Sequence, residues 1–315
     1  MSLERALELA ERGRGTTHPN PIVGCVIMCG DWVVGEAWHE QAGEAHAEVL
    51  ALRQAGERAR GSTAYVTMEP CNHHGRTPPC TAALIEAGVT QVLAGSLDPN
   101  PKAAGGLERL REAGIEVAVD QGELGFRARQ QNEAWRTWIT HARPFVILKL
   151  ALTLDGRVAR RDRRWVTGEP SRRRVHELRS QVDAVAVGMG TVLADDPQLT
   201  VREVETSRQP RRLAFGRPPL PAAGGLELRS GSIPEELDAL AAEGVQSLLL
   251  EGGPRIAEQF LRADLVDKLV LFFAPALAGG GPAFAPTLEL PVDLEHVTVE
   301  RVGDDAVLTG YVHAP

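Results

Sequence analysis

The chain has 315 residues, more than the roughly 100–200 of one domain, so its length points to two. Hydrophobic residues make up 43% and charged residues 24%, a globular composition that excludes a largely disordered, collagen-like or membrane-embedded chain. With 34 Lys+Arg against 42 Asp+Glu the net charge is −8, which lacks the basic footprint of phosphate-backbone binding and argues against a nucleic-acid partner.

Leu3, Ala6, Leu7 and Ala10 recur at helical spacing behind Ser2, predicting a short amphipathic helix that ends near Gly13. The same stretch lacks the apolar core of a signal peptide, and no run approaches the ~18 apolar residues of a membrane span, so the expectation is a cytoplasmic protein with no membrane partner. Residues 22–28 and 32–38 are β-rich runs separated by Cys29-Gly30-Asp31, the pattern of a hairpin. A helix is expected over 46–59, stopped by Gly61, then a strand over 64–67 that runs into Glu69-Pro70-Cys71. Beyond the loop 72–79 come a helix at 80–87, a strand at 91–95, a helix at 107–113, a strand at 115–119 and one helical stretch over 123–141. Because a proline pushes the preceding residue out of the α region, Arg143-Pro144 marks the domain boundary, giving domains 1–142 and 143–315.

The second half starts afresh with a strand at 145–150. A helix after Pro170, strands at 184–188 and 245–250, helices at 234–243 and 254–263, and strands at 268–274, 297–302 and 306–312 follow. The Pro-, Gly- and Arg-rich segment 206–232 shows no element beyond a strand at 212–215. Alternation of strand and helix makes both halves α/β with some parallel pairing.

All four cysteines, at 25, 29, 71 and 80, fall in the first 80 residues, too few and too clustered for a secreted disulfide framework. Cys25 and Cys29 read as ordinary strand residues. His46-Ala47-Glu48 at a helix start, with Cys71 and with Cys80 at another helix start, offers one imidazole and two thiolates, a donor set that suits zinc and leaves a fourth position for water. Bound zinc brings the pKa of water towards about 7, and Glu48, two residues beyond the histidine, stands where a proton carrier is needed. This is the logic of zinc deaminases, except that eight residues rather than two separate Cys71 from Cys80. His73 and His74 are rival ligands, and a closed structural zinc knot is the alternative, although such a knot has no use for Glu48.

Thr17-His18-Pro19-Asn20-Pro21, Val23-Gly24, His46-Ala47-Glu48 and the run from Glu69-Pro70-Cys71 through Asn72-His73-His74-Gly75-Arg76-Thr77-Pro78-Pro79 to Cys80 closely resemble the bacterial bifunctional riboflavin-biosynthesis deaminase/reductase family, RibD, over nearly the whole chain. The long Cys–Cys insert is that family's own pattern. The resemblance implies a cytidine-deaminase-like α/β/α domain that hydrolyses the 2-amino group of 2,5-diamino-6-ribosylamino-4(3H)-pyrimidinone 5′-phosphate. It assigns one zinc per chain to His46, Cys71 and Cys80, and proton transfer to Glu48. Asn20 either meets the substrate or closes a local Asx turn. His39, His73, His74 and Arg76 are expected in the substrate pocket, the last three near the 5′-phosphate, with a solvated loop as the alternative.

The second half carries no G-x-G-x-x-G after its first strand, which speaks against a Rossmann domain. A different phosphate cradle is offered by Glu251-Gly252-Gly253-Pro254 between a strand and a helix start, with a plain turn as the other reading. Together with the runs 149–156, 165–168 and 187–202 it is similar to the family's reductase domain, which implies a dihydrofolate-reductase-like fold, NADPH as cofactor and reduction of the ribosyl group of 5-amino-6-(5-phosphoribosylamino)uracil to ribityl. By that resemblance Ala151, Trp165, Thr191, Asp195, Gly253, Pro254, Arg255, Ile256, Ala257, Glu258 and Gln259 contact NADPH, and Arg179, Leu199, Arg202 and Glu251 contact the substrate. Either arginine has the planar fork that grips a sugar phosphate; a solvated helix face is the other reading of Arg179. Two departures from the family pattern fall here. Arg160-Arg161-Asp162-Arg163-Arg164 replaces a Gly-x-Ser element and is either a basic hairpin or a seat for the 2′-phosphate, and Leu213-Ala214-Phe215-Gly216-Arg217 replaces a strand ending in Asp-Ser. They keep open a zinc deaminase with a degenerate reductase-like domain; a tRNA or DNA base deaminase is opposed by the acidic balance. A homodimer through the second domain is the expected assembly.

Overall fold

The computed structural model describes residues 2–73, 78–217, 225–285, 288 and 291–315. The chain divides into two compact units, Met1–His141 and Ala142–Ala314.

The first unit runs α1 (Ser2–Ala10), β1 (Gly24–Cys29), β2 (Trp32–Trp38), α2 (Ala47–Ala55), β3 (Thr63–Val66), α3 (Cys80–Glu86), β4 (Gln91–Ala94), α4 (Gly106–Glu112), β5 (Glu116–Val119), α5 (Glu123–Gln131) and α6 (Glu133–His141). Its sheet has the order β2-β1-β3-β4-β5, with β1 antiparallel to both neighbours and β3, β4 and β5 parallel. The period-2 alternation of β1 sorts its side chains between two helical layers. Val26 packs with Ala6 and Leu9 of α1, whereas Cys25 and Ile27 join Ala47, Ala51 and Leu52 of α2 and Leu84 of α3. Gly24 sets how closely α1 approaches, since a Cβ there would stand 2.0 Å from the Ala6 carbonyl oxygen.

The helical stretch expected over 123–141 is two helices, broken at Asn132. Its buried side-chain amide accepts the Ile22 N–H and donates to the Ile22 carbonyl, both at 2.9 Å. A strand-side backbone position that no strand pairs is thereby satisfied. Helical periodicity carries no sign of this tertiary demand.

The second unit contains β6 (Phe145–Thr153), α7 (Glu169–Gln181), β7 (Ala184–Gly188), α8 (Met189–Asp195), β8 (Arg211–Phe215), β9 (Glu227–Arg229), α9 (Ile233–Ala242), β10 (Ser247–Leu250), α10 (Pro254–Arg262), β11 (Lys268–Ala274), β12 (Glu295–Val302) and β13 (Asp305–Tyr311). They build a sheet of order β12-β13-β11-β6-β10-β7-β8-β9, parallel from β11 to β9 and antiparallel at β12 and β13. One face carries α9 and α10, through Leu237, Leu240, Ala257 and Phe260 against Leu148, Leu248 and Leu250. On the other, Leu178 of α7 and Val192 of α8 pack with Val185, Val187 and Leu249.

Two elements here were not expected. α8 starts directly from the end of β7 and holds only seven residues, one of them Gly190. β9 has three residues and exists by pairing, Leu213 with Glu227 and Phe215 with Arg229, while Arg229 is tied to Glu227, Glu236 and Glu243.

Candidate active sites

His46 is the N-cap of α2, in extended conformation, and Glu48 lies in that helix's first turn. Cys71 follows β3 by a short loop and Cys80 opens α3. His46 Nδ1 stands 3.2 Å from Cys80 Sγ and 3.5 Å from Cys71 Sγ, and the three donor atoms lie within 4.8 Å of one another. Zinc bonds of about 2.0–2.1 Å to nitrogen and about 2.3 Å to sulfur give a tetrahedral N···S edge of about 3.5 Å, so this donor set fits the ion as it stands. The long insert is closed at its ends. The Cys80 N–H points at Cys71 Sγ at 3.4 Å, the Thr81 N–H donates to the Cys71 carbonyl at 3.3 Å, and the Thr81 hydroxyl donates to Asn72 Oδ1 at 3.1 Å. Hydrogen bonding from Cys80 and from His46 holds the Cys71 thiol well below its ordinary value, while Cys71 and burial push Cys80 up.

Glu48 is 4% exposed, and its Oε2 has no hydrogen-bond partner among the described residues. Burial raises its pKa against the opposing pull of His46. A carboxyl kept dry beside an open coordination position, with one oxygen uncommitted, is suited to take and return a proton.

His46, Glu48 and Cys71 line a cavity of about 480 Å³, together with Asn20, His39 and His73 from the expected set. His39 Nδ1 lies 3.2 Å from the Ala45 carbonyl, so it carries the proton, and Nε2 is left to accept from Asn20 Nδ2 at 3.4 Å. Burial lowers the His39 pKa and favours this neutral ring. The Asn20 amide thus turns to His39 rather than into a local turn. His73 is exposed, and His74 and Arg76 lie outside the described residues.

Two parts of this wall were not anticipated. Asp98 and Asn100 come from the loop after β4, and Trp135, Trp138 and Ile139 from α6. Burial, with Glu69 and Cys71 nearby, raises the Asp98 carboxyl to about 6. Aromatic residues at helical spacing read as core, and a polar loop gives no warning that it borders a cavity. Glu69, part of the cysteine motif, is buried and serves the backbone. Its Oε2 accepts the Asp98 N–H at 3.1 Å and its Oε1 the Leu107 N–H at 3.0 Å.

In the second unit Glu251 follows the C-terminal end of β10, where open α/β sheets bind ligands. Arg179 of α7 grips it through Nε at 2.5 Å and Nη2 at 3.0 Å, and Lys149 of β6 stands 3.7 Å away. Burial pushes the Glu251 carboxyl up, yet Lys149 and Arg179 bring it below its ordinary value; burial lowers Lys149 against the pull of Glu251. The Arg179 fork is therefore engaged by protein rather than solvated on a free helix face. Lys149 was missed as a site residue, although a lone cation inside an apolar strand run is the signal that finds it.

The Gly253 N–H donates to Thr191 Oγ1 at 3.2 Å, tying α8 to the start of α10. A Cβ at Gly252 would sit 2.0 Å from Ile256 Cγ2, so the turn before α10 keeps bare backbone at the helix N-terminus. Of the stretch 253–259, Ile256 and Ala257 belong to the core, while Arg255 and Gln259 are exposed. Ala151 is half-buried on β6, Asp195 is exposed at the end of α8, and Trp165 is 54% exposed with Arg164 and Arg172 over its ring. Leu199 is buried and Arg202 exposed. Arg160 is paired with Asp162, and residues 211–215 form β8 despite their unusual sequence.

Residues 2–96 match the family model for the cytidine and deoxycytidylate deaminase zinc-binding region, and residues 144–223 and 226–308 match that for the RibD C-terminal domain. The riboflavin biosynthesis protein RibD of Escherichia coli is 41% identical over 97% of this chain and 97% of its own length; that of Aquifex aeolicus is 40% identical over 97% and 96%. The chain belongs to the RibD family. Among solved structures, Acinetobacter baumannii RibD superposes with a TM-score of 0.83 at 36% identity, covering 98% of this chain and 97% of that one. A Thermotoga maritima deaminase/reductase does so with 0.83 at 34%, covering 98% and 97%. The RibD relationship bears out the order of a deaminase domain followed by a mixed α/β reductase domain.

Proposed function

We propose that this chain carries out two successive steps of riboflavin biosynthesis. Residues 1–142 deaminate the diaminopyrimidine ribosyl phosphate, and residues 143–315 reduce the ribosyl group of the resulting 5-amino-6-(5-phosphoribosylamino)uracil with NADPH. The observation that carries the reading is a zinc-spaced His46–Cys71–Cys80 triad whose His46 and Cys71 line one cavity with a buried Glu48 that has an uncommitted oxygen. Bound there, zinc supplies the Lewis acidity that makes water a nucleophile at neutral pH. Glu48 takes the proton of that water and delivers it to the departing amino group, so that a C–O bond forms, the C–N bond breaks and ammonia leaves. Asn20 and neutral His39 orient the pyrimidine, and His73, His74 and Arg76 are the expected partners of its 5′-phosphate.

In the second domain NADPH supplies the hydride. Its contacts are assigned to Ala151, Trp165, Thr191, Asp195 and the stretch 253–259, supported by the bare-backbone turn ahead of α10. Glu251, fixed by Arg179 and Lys149, faces the ribosyl group with Leu199 and Arg202. A homodimer through this domain is supported by edge strand β12, which leaves Val297 47% and Val299 67% exposed. No helix among the described residues is long and apolar enough to cross a membrane. The cytoplasm is the proposed compartment because two thiols reserved for a metal need reducing conditions.

The test is a time course of the full protein with the diaminopyrimidine phosphate. Ammonia release without NADPH, followed by NADPH oxidation once it is added, is the expected result. Ammonia without oxidation would leave only a deaminase, and neither would overturn the reading.

A further inference from the structure

Between α8 and β8 three successive residues outside any helix or strand are each held by a side chain. Arg179 Nη1 donates to the Thr200 carbonyl at 3.0 Å. Gln209 accepts the Val201 N–H at 2.8 Å and donates to the Val201 carbonyl at 3.0 Å. His176 Nδ1 accepts the Arg202 N–H at 3.3 Å. His176 and Arg179 stand one turn apart on α7, so a single helix face supplies two of the three holds. Leu199 enters the segment at φ 53°, a left-handed conformation costly for a branched side chain, and is 3% exposed among Val185 and Leu249. Such a conformation persists only where its surroundings over-determine it. At the end of this fastened stretch the exposed Arg202 guanidinium has no hydrogen bond or ion pair among the described residues.

We propose that His176 is a positioning residue of the reductase: by accepting the Arg202 N–H it fixes the direction in which the free Arg202 guanidinium meets the phosphate of the substrate. The inference rests on the reductase reading, which gives Arg202 to the substrate. A backbone N–H can only donate, so Nδ1 is bare and the ring's single proton sits on Nε2, 3.7 Å from Glu203 Oε1. The ring is buried, and the charges facing it are Arg179 on its own helix, Arg202 and Glu203 of the segment, and Glu251 beyond β10. Burial first, then Arg179, lowers its pKa below the ordinary histidine value, which keeps the acceptor available. Protonation would set two donors against each other and release the hold.

The experiment compares His176→Leu, which fills the space but accepts nothing, with His176→Asn, whose Oδ1 can accept in place of Nδ1, both in the full chain. His176→Leu should raise KM for the pyrimidine ribosyl phosphate about tenfold, the order expected for one misdirected charge-assisted contact, with kcat and KM for NADPH within about twofold. His176→Asn should stay near the parent. The parent KM should rise as pH falls through the region below the ordinary histidine value, and the Asn variant should show no such limb. A Leu variant with parental KM, or an Asn variant as impaired as Leu, would overturn the proposal. A parent that oxidises no NADPH overturns the reductase reading instead. Hydrogen exchange at the Arg202 amide then still decides the hold: slow in the parent and in His176→Asn and fast in His176→Leu if it is real, equal in all three if it is not.

Discussion

Replacing Glu48 by Gln keeps the shape of the side chain and removes its acid–base chemistry. General acid–base transfer contributes about 100- to 10,000-fold, or about 3–5 kcal/mol of barrier, so deamination should fall by that factor. The structure adds a second expectation. Glu48 Oε2 is already buried without a partner among the described residues, so the amide exchanges one unsatisfied atom for another and Tm should stay near that of the parent. The ligands His46, Cys71 and Cys80 are untouched, and zinc should remain at one per chain. Ammonia release measures the chemistry, elemental analysis the metal and calorimetry the stability, while NADPH oxidation with the deaminated product should stay at the parental rate. Deamination within about tenfold of the parent, at full zinc occupancy, would refute Glu48 as the proton carrier.

Asp267, 2% exposed, accepts two hydrogen bonds from Arg143 at 2.7 Å and the Val146 N–H at 2.7 Å; Asp267→Ala leaves the half-buried Arg143 and the Val146 N–H without this partner and should cost about 2–3 kcal/mol in denaturant unfolding of the second unit. Asn132→Leu leaves both backbone groups of Ile22 unsatisfied and should lower the stability of the first unit by about 2–4 kcal/mol, read by urea titration. Arg229, with Arg211, holds the Glu243 carboxyl down to about 2. A lowered folded pKa contributes stability above the unfolded value and loses it as pH falls towards 2, so acid titration of Tm should show a shallow decline over that window which Glu243→Gln removes, the size kept small by solvent screening.

How far the molecule could be read from its residues depended on whether a position answers to its neighbours in sequence or to something distant. His46, Glu48, Cys71 and Cys80 were legible because metal chemistry restricts residue type and because two helix starts bring the donors inward. The strands β1, β2 and β11 were legible from alternation and turn residues. Asn132 was not, because its reason is Ile22, over a hundred positions earlier in the chain. β9 was not, because three residues become a strand only beside β8. Trp135 and Trp138 carried the pattern of a core helix, and nothing local distinguishes a face that packs on protein from one that borders a cavity. His176 is one polar residue on a basic helix, and its partner is a backbone group with no signature in any sequence.

Glu69 lies two residues before a metal ligand, yet both of its oxygens are spent on the amides of Asp98 and Leu107. That arrangement makes the carboxylate a gauge block between the segment carrying Cys71 and the loop carrying Asp98. Losing or shortening it would leave His46, Cys71 and Cys80 in place but release the Asp98 amide. The spacing between Cys71 and Asp98 across the cavity is therefore set partly by a carboxylate committed to the backbone, and a search for altered substrate range should begin at that spacer.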